Sequence, residues 1–352
     1  MQRYLRRAAL QLLRSTGVFH LVRNSRWRQQ RLLILCYHGI AQEDEHEWRP
    51  GLYMHPTIFE QRLEMLKRGE YNVVSLSEGL QRLREGRLPP RSVAITFDDG
   101  CYDFYSRGYP LLGKYRFPVT VYQTTYYSDF QKPIFNLTCS YLLWKRRGVI
   151  LERSFEFGVE SPMDLRSEAS RHQIVLKLVK GSEAKGLTGV QKNELACQLA
   201  ALLDINYEEL LEKRILQLMT AQEIAELARE GVDFQLHTHR HRMPEDETQF
   251  RKEIEDNRRR LEEILDSTPV HFCYPGGVYR TAFLDWLRTE EVISATTCDV
   301  GLASMTDHPL LLPRFVDTSA RSALEFESWL NGIGSILVLR KAASQRYVPP
   351  QD

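Results

Sequence analysis

Short apolar, β-branched runs alternate with amphipathic stretches over most of this chain, a rhythm that builds parallel α/β sheets. Arg31 to Cys36 is apolar after its first residue and predicts a strand that ends in Tyr37-His38-Gly39-Ile40. Pro56 to Arg68 places Phe59, Leu63 and Leu66 on one helical face. Val73 to Leu76 reads as a strand, and Ser77 as the cap of a helix reaching about Arg84. Ser92-Val93-Ala94-Ile95 predicts a buried strand leading into Thr96-Phe97-Asp98-Asp99-Gly100. A helix over Tyr109 to Tyr115 and a strand over Pro118 to Tyr122 follow. Further on, Thr220 and Glu223 form a capping box for a helix ending at Gly231. A strand over Val232 to Leu236, a charged helix over Glu247 to Leu265 and a strand over Pro269 to Cys273 complete the series. The last of these runs into Tyr274-Pro275-Gly276-Gly277.

The rhythm fails in two places. From about 131 to 214 it gives way to helical stretches near Glu168 to Val179 and Gln191 to Leu203, read as a mainly helical insertion. Tyr141 and Trp144 in that insertion suit either core packing or stacking on a sugar. Residues 1–30 form a basic segment in which Leu5, Ala9, Leu12 and Leu13 recur at helical spacing. Gly17 is placed to end that first helix, with Val18, Phe19, Leu21 and Val22 adding an apolar patch beyond it. Eight arginines, from Arg3 to Arg31, precede the first acidic residue, Glu43. The segment suits a peripheral contact with an anionic membrane or a helix packed on the outside of the domain. It is also similar to a transit peptide. A cleavable signal peptide fits poorly, because Arg14 interrupts the apolar stretch. Residues 341–352 read as a tail.

At 352 residues, 43% hydrophobic and 26% charged, the chain has an ordinary globular composition. The net charge of +1 supplies no global field for nucleic acid, which is not expected as a partner. The six cysteines are scattered without a Cys-x-x-Cys pair, so a reducing compartment and no disulfide framework are expected. The expected localisation is cytoplasmic, peripheral at most at the inner face of the membrane.

Two short stretches carry the chemistry. Asp98 and Asp99 stand side by side at a strand end, and neighbouring residues on an extended segment point apart. One carboxylate can then hold a metal while the other accepts a proton beside it. By itself Asp-Asp-Gly is an ordinary turn. Downstream, His237-Thr238-His239-Arg240-His241 offers two imidazoles four residues apart, or else a surface basic cluster. Asp99, His237 and His241 together suit zinc or a similar divalent ion with open positions for water and substrate.

The Thr-Phe-Asp-Asp-Gly and His-Thr-x-x-His stretches, in that order, resemble the polysaccharide deacetylase family (carbohydrate esterase family 4), in particular its exopolysaccharide-type members. Their Tyr-His pair is similar to Tyr37-His38. The resemblance implies a distorted (β/α) barrel over residues 31–340, with both motifs at strand ends. It implies a metal-dependent hydrolase that removes N-acetyl groups from an oligo- or polysaccharide. It also implies Asp99, His237 and His241 as ligands of a divalent metal, zinc first, with Asp98 as general base and the Tyr274 amide as oxyanion donor.

Two departures stand out. Cys273 occupies the place of an Arg that normally orients the base, and Arg314 in Leu312-Pro313-Arg314 is either its substitute or a structural salt bridge. The final Leu-x-His motif is missing from Ser335 to Arg340, so the general acid comes from elsewhere, with His308, His38 and His239 as candidates, or from a metal-bound water, or is absent. Alternatives are another metal-dependent C–N hydrolase for a small or lipid-linked sugar, and a glycan-binding homologue with weakened turnover.

Overall fold

In this computed structural model, residues 2–338 are described, and seven strands run parallel and close on one another. They are β1 (Arg31–Tyr37), β2 (Ser92–Phe97), β3 (Thr120–Gln123), β4 (Asp233–Leu236), β5 (His271–Cys273), β6 (Ser294–Val300) and β7 (Leu312–Val316). Each pairs with its predecessor in the chain, and β1 closes the ring by pairing with both β2 and β7. Asn72–Val73 flanks β2 in parallel, and Ala303–Ser304 flanks β1 antiparallel.

The period of two along each strand decides what faces the barrel axis. Leu32, Ile34, Ala94, Tyr122, Cys273 and Leu312 form one buried cluster with Leu76, Leu80 and Leu83 of the helix Leu76–Arg84. The next inward positions toward the strand C-termini are Cys36, Thr96, Asp98 and Arg314, so the same alternation that builds an apolar floor ends in polar groups. The odd positions of β1 and β2 face outward under helices. Tyr37 and Phe97 pack edge-on against Phe59 of the helix Pro56–Arg68, with centroids 5.0 and 5.6 Å away.

Local corrections are small and physical. Ser75, not Ser77, caps the helix Leu76–Arg84, its hydroxyl accepting from the Glu78 N–H. Ser77 instead turns its hydroxyl to His271. Strand β6 has no counterpart among the predicted strands, because its buried residues include Ser294, Thr296 and Thr297 rather than an apolar run.

The N-terminal helix Gln2–Ser15 stops before Gly17, whose φ of 79° glycine adopts without steric cost, and Val18–Asn24 forms the next helix. Leu10, Phe19 and Ile333 are buried together, joined by Leu13, Val18, Val22 and Leu324. Arg14 pairs with Glu327 at 3.2 Å. The segment packs on the helix Ala323–Leu330.

A second compact unit spans 127–220, where the sequence reading set an insertion over 131–214. Helices Glu168–Ala184 and Gly189–Leu202 pack on Phe135–Lys145. Strands Ile150–Leu151 and Met163–Asp164 pair antiparallel. Tyr141 and Trp144 are buried, stack on each other at 5.9 Å, and Arg147 covers the Trp144 ring at 3.9 Å. Both rings are therefore occupied by packing, and neither presents a free face to a sugar. The tail 341–352 and the end of the stretch Ser335 to Arg340 lie outside the described residues.

Candidate active site

The polar groups at the C-terminal ends of the strands make two adjoining clusters. The first is built on Asp98, immediately after β2. Its backbone N–H donates to the Tyr37 carbonyl, continuing the β1–β2 ladder one residue past the strand. Its carboxylate is buried and held by Arg314 from β7 in a two-pronged contact, Nη1 to Oδ1 at 2.7 Å and Nη2 to Oδ2 at 2.8 Å. The remaining Arg314 donors go to the Thr297 carbonyl, 3.0 Å from Nε, the Thr96 hydroxyl, 3.4 Å from Nη1, and Cys273 Sγ, 3.0 Å from Nη2. Register between β6 and β7 shifts around that point, which leaves the Thr297 carbonyl turned to the guanidinium. Two thiols complete the enclosure, with Cys36 and Cys273 Sγ lying 3.5 and 3.4 Å from Asp98 Oδ2.

Burial by itself pushes the Asp98 carboxyl up, but the Arg314 guanidinium against both oxygens holds it well below the usual carboxylate range. Burial also raises the Cys36 and Cys273 thiols far above their ordinary value, with Arg314 opposing. They are protonated donors to the carboxylate and not nucleophiles. Arg314, expected either to replace the missing Arg of the third motif or to make a structural salt bridge, thus grips Asp98 directly. Cys273 sits where its thiol reaches both partners, 3.0 Å from Arg314 Nη2.

The second cluster starts one residue later. Asp99 takes φ 71° and Gly100 φ 80°, so the chain turns sharply and the two carboxylates diverge. A Cβ at Gly100 would lie 2.0 Å from the Gln123 side chain, which fixes glycine there on both conformation and space. After β4 the backbone enters a turn with Thr238 at φ 62° and His241 at φ 55°. That turn, not a helix, brings the histidines together, and their rings lie 5.0 Å apart. Asp99 Oδ1 is 3.2 Å from His237 Nε2 and 3.3 Å from His241 Nε2.

This donor set fits a divalent metal. Asp99 Oδ1 is a buried oxygen that no hydrogen bond from the described residues reaches, although two imidazole nitrogens stand beside it. Donors about 2.1 Å from one ion at tetrahedral angles are about 3.4 Å apart, which matches these spacings. The tautomer fits as well. His237 Nδ1 lies 2.9 Å from the Cys273 carbonyl, which can only accept, so the proton is on Nδ1 and the Nε2 lone pair faces the cluster. Asn257 holds the turn in place. Its Oδ1 accepts from the His237 N–H at 2.9 Å while its Nδ2 donates to the Gln123 carbonyl and the Thr125 hydroxyl.

The other predicted residues separate clearly. His38 follows β1, and its Nε2 is 3.8 Å from Asp98 Oδ2. His239 is turned aside, with Nδ1 on the Thr125 hydroxyl at 2.9 Å. His308 lies elsewhere, between two donors, with Nε2 2.8 Å from Arg288 Nη2 and Nδ1 3.1 Å from the Leu310 N–H, only one of which a neutral imidazole can accept from. The Tyr274 amide differs from its expected part as an oxyanion donor. It donates to the Thr296 carbonyl at 3.2 Å in the sheet ladder, and the phenol donates to the Leu310 carbonyl. Cys36 and Asn257 were not predicted. Cys36 is hidden in an apolar run, and Asn257 lies among charged residues of the helix Glu247–Glu262.

The model of the polysaccharide deacetylase family matches residues 85–176 and 202–291, just over half of the chain. A poly-beta-1,6-N-acetyl-D-glucosamine N-deacetylase of Staphylococcus aureus is 39% identical over 62 residues, 18% of this chain and 21% of that protein. The like-named Escherichia coli protein is 27% identical over 93 residues, 26% of this chain and 14% of that protein. This chain therefore matches about a fifth or less of the length of either. Among solved structures, the deacetylase PplD of Streptococcus pyogenes, in complex with acetate, superposes with a TM-score of 0.56 at 20% identity, covering 86% of this chain and 97% of that one. IcaB from Ammonifex degensii does so with 0.51 at 17%, over 86% and 97%. These two show the same fold.

Proposed function

This chain belongs to the polysaccharide deacetylase family, and from that premise we propose that it is a metal-dependent hydrolase that removes N-acetyl groups from an N-acetylated glycan. The observation that carries the proposal is the juxtaposition of a buried, Arg-gripped carboxylate, Asp98, with the donor set Asp99, His237 and His241. Family membership makes metal dependence the expected chemistry, and we take the ion to be zinc on the mixed carboxylate and imidazole donors.

Asp99, His237 and His241 would hold a divalent ion, which would supply polarisation of the amide carbonyl and a lowered pKa for a water. Asp98 is the base that takes a proton from the attacking water. Arg314 fixes the plane of the carboxylate through two parallel hydrogen bonds and keeps it ionised. Cys36 and Cys273 close off the barrel side, so the carboxylate is approached from the strand ends. The water oxygen bonds to the acyl carbon, the C–N bond breaks, and the amine must gain a proton as it leaves. Of the three histidines considered for that transfer, we assign His38. It is the one beside Asp98, while His239 and His308 are committed elsewhere.

The glycans to test first are β-1,6-linked N-acetylglucosamine oligomers, because the curated relatives are named for that polymer. We further place the enzyme at a membrane surface through its basic N-terminal segment, a reading supported by the apolar side chains that segment leaves exposed. The test of the catalytic proposal is acetate release from those oligomers before and after removal of metal by a chelator. Activity that disappears with the metal and returns with added zinc is expected. Release that continues from demonstrably metal-free protein would overturn the proposal.

A further inference from the structure

The helix Gln2–Ser15 has two apolar faces, and the fold uses only one. Leu10 and Leu13 turn inward onto Phe19, Ile333 and Leu324, with Arg14 fastened to Glu327. On the other side Tyr4 is 80% exposed, Leu5 65% and Leu12 63%, with Ala8 and Ala9 exposed between them. Leu5 and Leu12 are seven residues apart, two turns of helix, so they lie on one line with the alanines filling the turn between. Leu21 of the following helix adds a fourth exposed apolar side chain, at 69%. Four of the large hydrophobic side chains most exposed to solvent thus fall within 18 consecutive residues. They are set among exposed Arg6, Arg7 and Arg26, and no acidic residue occurs before Glu43.

We propose that this outward face of Tyr4, Leu5 and Leu12, with the exposed Arg7 at its border and Leu21 and Arg26 exposed in the helices that follow, docks on an anionic lipid bilayer surface while the inward face stays packed on the domain. The inference rests on the membrane reading of the segment and not on the deacetylase reading, so the two fail separately. Charge is what selects lipid as the occupant. Tyr4, Leu5 and Leu12 give the face apolar depth, and Arg7 and Arg26, both exposed and in a stretch without acidic residues, suit phosphate headgroups. Packing and membrane attachment are therefore not rival accounts of residues 1–30; they belong to opposite sides of one helix. Among the described residues no helix is long and apolar enough to cross a membrane, so the contact is along the surface.

The test uses the full chain with vesicles of phosphatidylcholine alone and of phosphatidylcholine with phosphatidylglycerol. Sedimentation with the anionic vesicles is expected, weakening steeply as salt is raised. The combined substitutions Leu5→Ser and Leu12→Ser should reduce binding about tenfold or more. Arg7→Gln with Arg26→Gln should do so by a similar factor. All four side chains are exposed, so folding is not at stake, and circular dichroism with acetate release in solution should match the parent. Equal binding by parent and leucine variant would overturn the proposal. So would a concentration-dependent dimer, abolished by the leucine substitutions, in a chain that ignores vesicles, because a second copy would then be the occupant.

Discussion

The two ends of the barrel are built from the same strands and treat polar groups in opposite ways. At the N-terminal ends the polar groups satisfy one another. His271 at the start of β5 bonds through Nδ1 to the Ser294 hydroxyl at 2.7 Å and through Nε2 to the Ser77 hydroxyl at 2.8 Å. Gln235 accepts from two backbone N–H groups and donates to Asp233, which also accepts from the Thr120 hydroxyl. The buried cation of that end, Arg28, is satisfied by the carbonyls of Leu330, Arg31 and Ser92. At the C-terminal ends a buried cation, Arg314, grips a carboxylate instead, and one oxygen of the next carboxylate finds no hydrogen bond among the described residues. Left-handed backbone occurs at both ends, at Arg91 before β2 and Gly231 before β4 as well as at Asp99, Thr238 and His241, but only at the C-terminal ends does it turn candidate metal donors toward one another. A strand thus carries stability at one end and reactive capacity at the other, as the barrel architecture in general allows.

Substitutions that separate the two ends test this contrast. The largest effect is expected from Asp98→Asn, which removes the base and should lower turnover about 10²–10⁴-fold while metal content stays near one per chain. Because it also strips Arg314 of its counter-charge, its melting temperature should fall, so rates must be referred to folded protein. Arg314→Ala should cost about 3–5 kcal/mol of stability in urea unfolding, because a buried charge loses its partner. Arg314→Lys keeps the charge but not the fork, and should fall between. His237→Ala should weaken metal binding about a hundredfold or more, seen as loss of zinc after dialysis against a weak chelator. Undiminished zinc content would remove His237 from the ligand set.

The N-terminal end should respond in stability alone. His271→Ala should cost about 1–3 kcal/mol through two hydroxyls that lose a partner, with turnover of the folded protein unchanged. Burial lowers the His271 pKa, with Arg84 adding to the effect and Asp233 opposing it. The folded chain therefore favours neutral imidazole, and the unfolded chain binds the proton more readily. This contribution is complete above the ordinary histidine value of about 6.5 and is lost as pH falls below it. The parent should lose stability through that window more steeply than the His271→Asn variant. Parallel slopes would show that His271 is not the group responsible.

How much of this could be read from the sequence follows the same division. Strands made of apolar runs, such as Arg31 to Cys36 and Ser92 to Ile95, are visible because their buried faces are hydrophobic. Strand β6 is not, since it buries serine and threonine at the axis. The metal donors were legible because two motifs stood at strand ends with recognisable spacing. Left-handed conformations at Asp99 and His241, which aim the donors, follow from tertiary packing and leave no trace in composition. Arg314 could be named, but only the closure of β7 on β1 reveals that it reaches Asp98. Cys36 is one more apolar letter in a strand until that closure places it on Asp98. The N-terminal helix shows the converse case. Its apolar letters were plain, but which of them face inward was not, and the fold chose Leu10 and Leu13 rather than Leu5 and Leu12.

The measurement that bears most directly on the whole account is acetate release from β-1,6-linked N-acetylglucosamine oligomers by zinc-loaded protein, run beside Asp98→Asn with metal content determined on both. Release by the parent, and its loss in the variant at equal zinc, is the predicted result. Equal release by both proteins, or none from a parent that holds one zinc per chain, would contradict the assignment of Asp98 and its neighbours as a deacetylase centre.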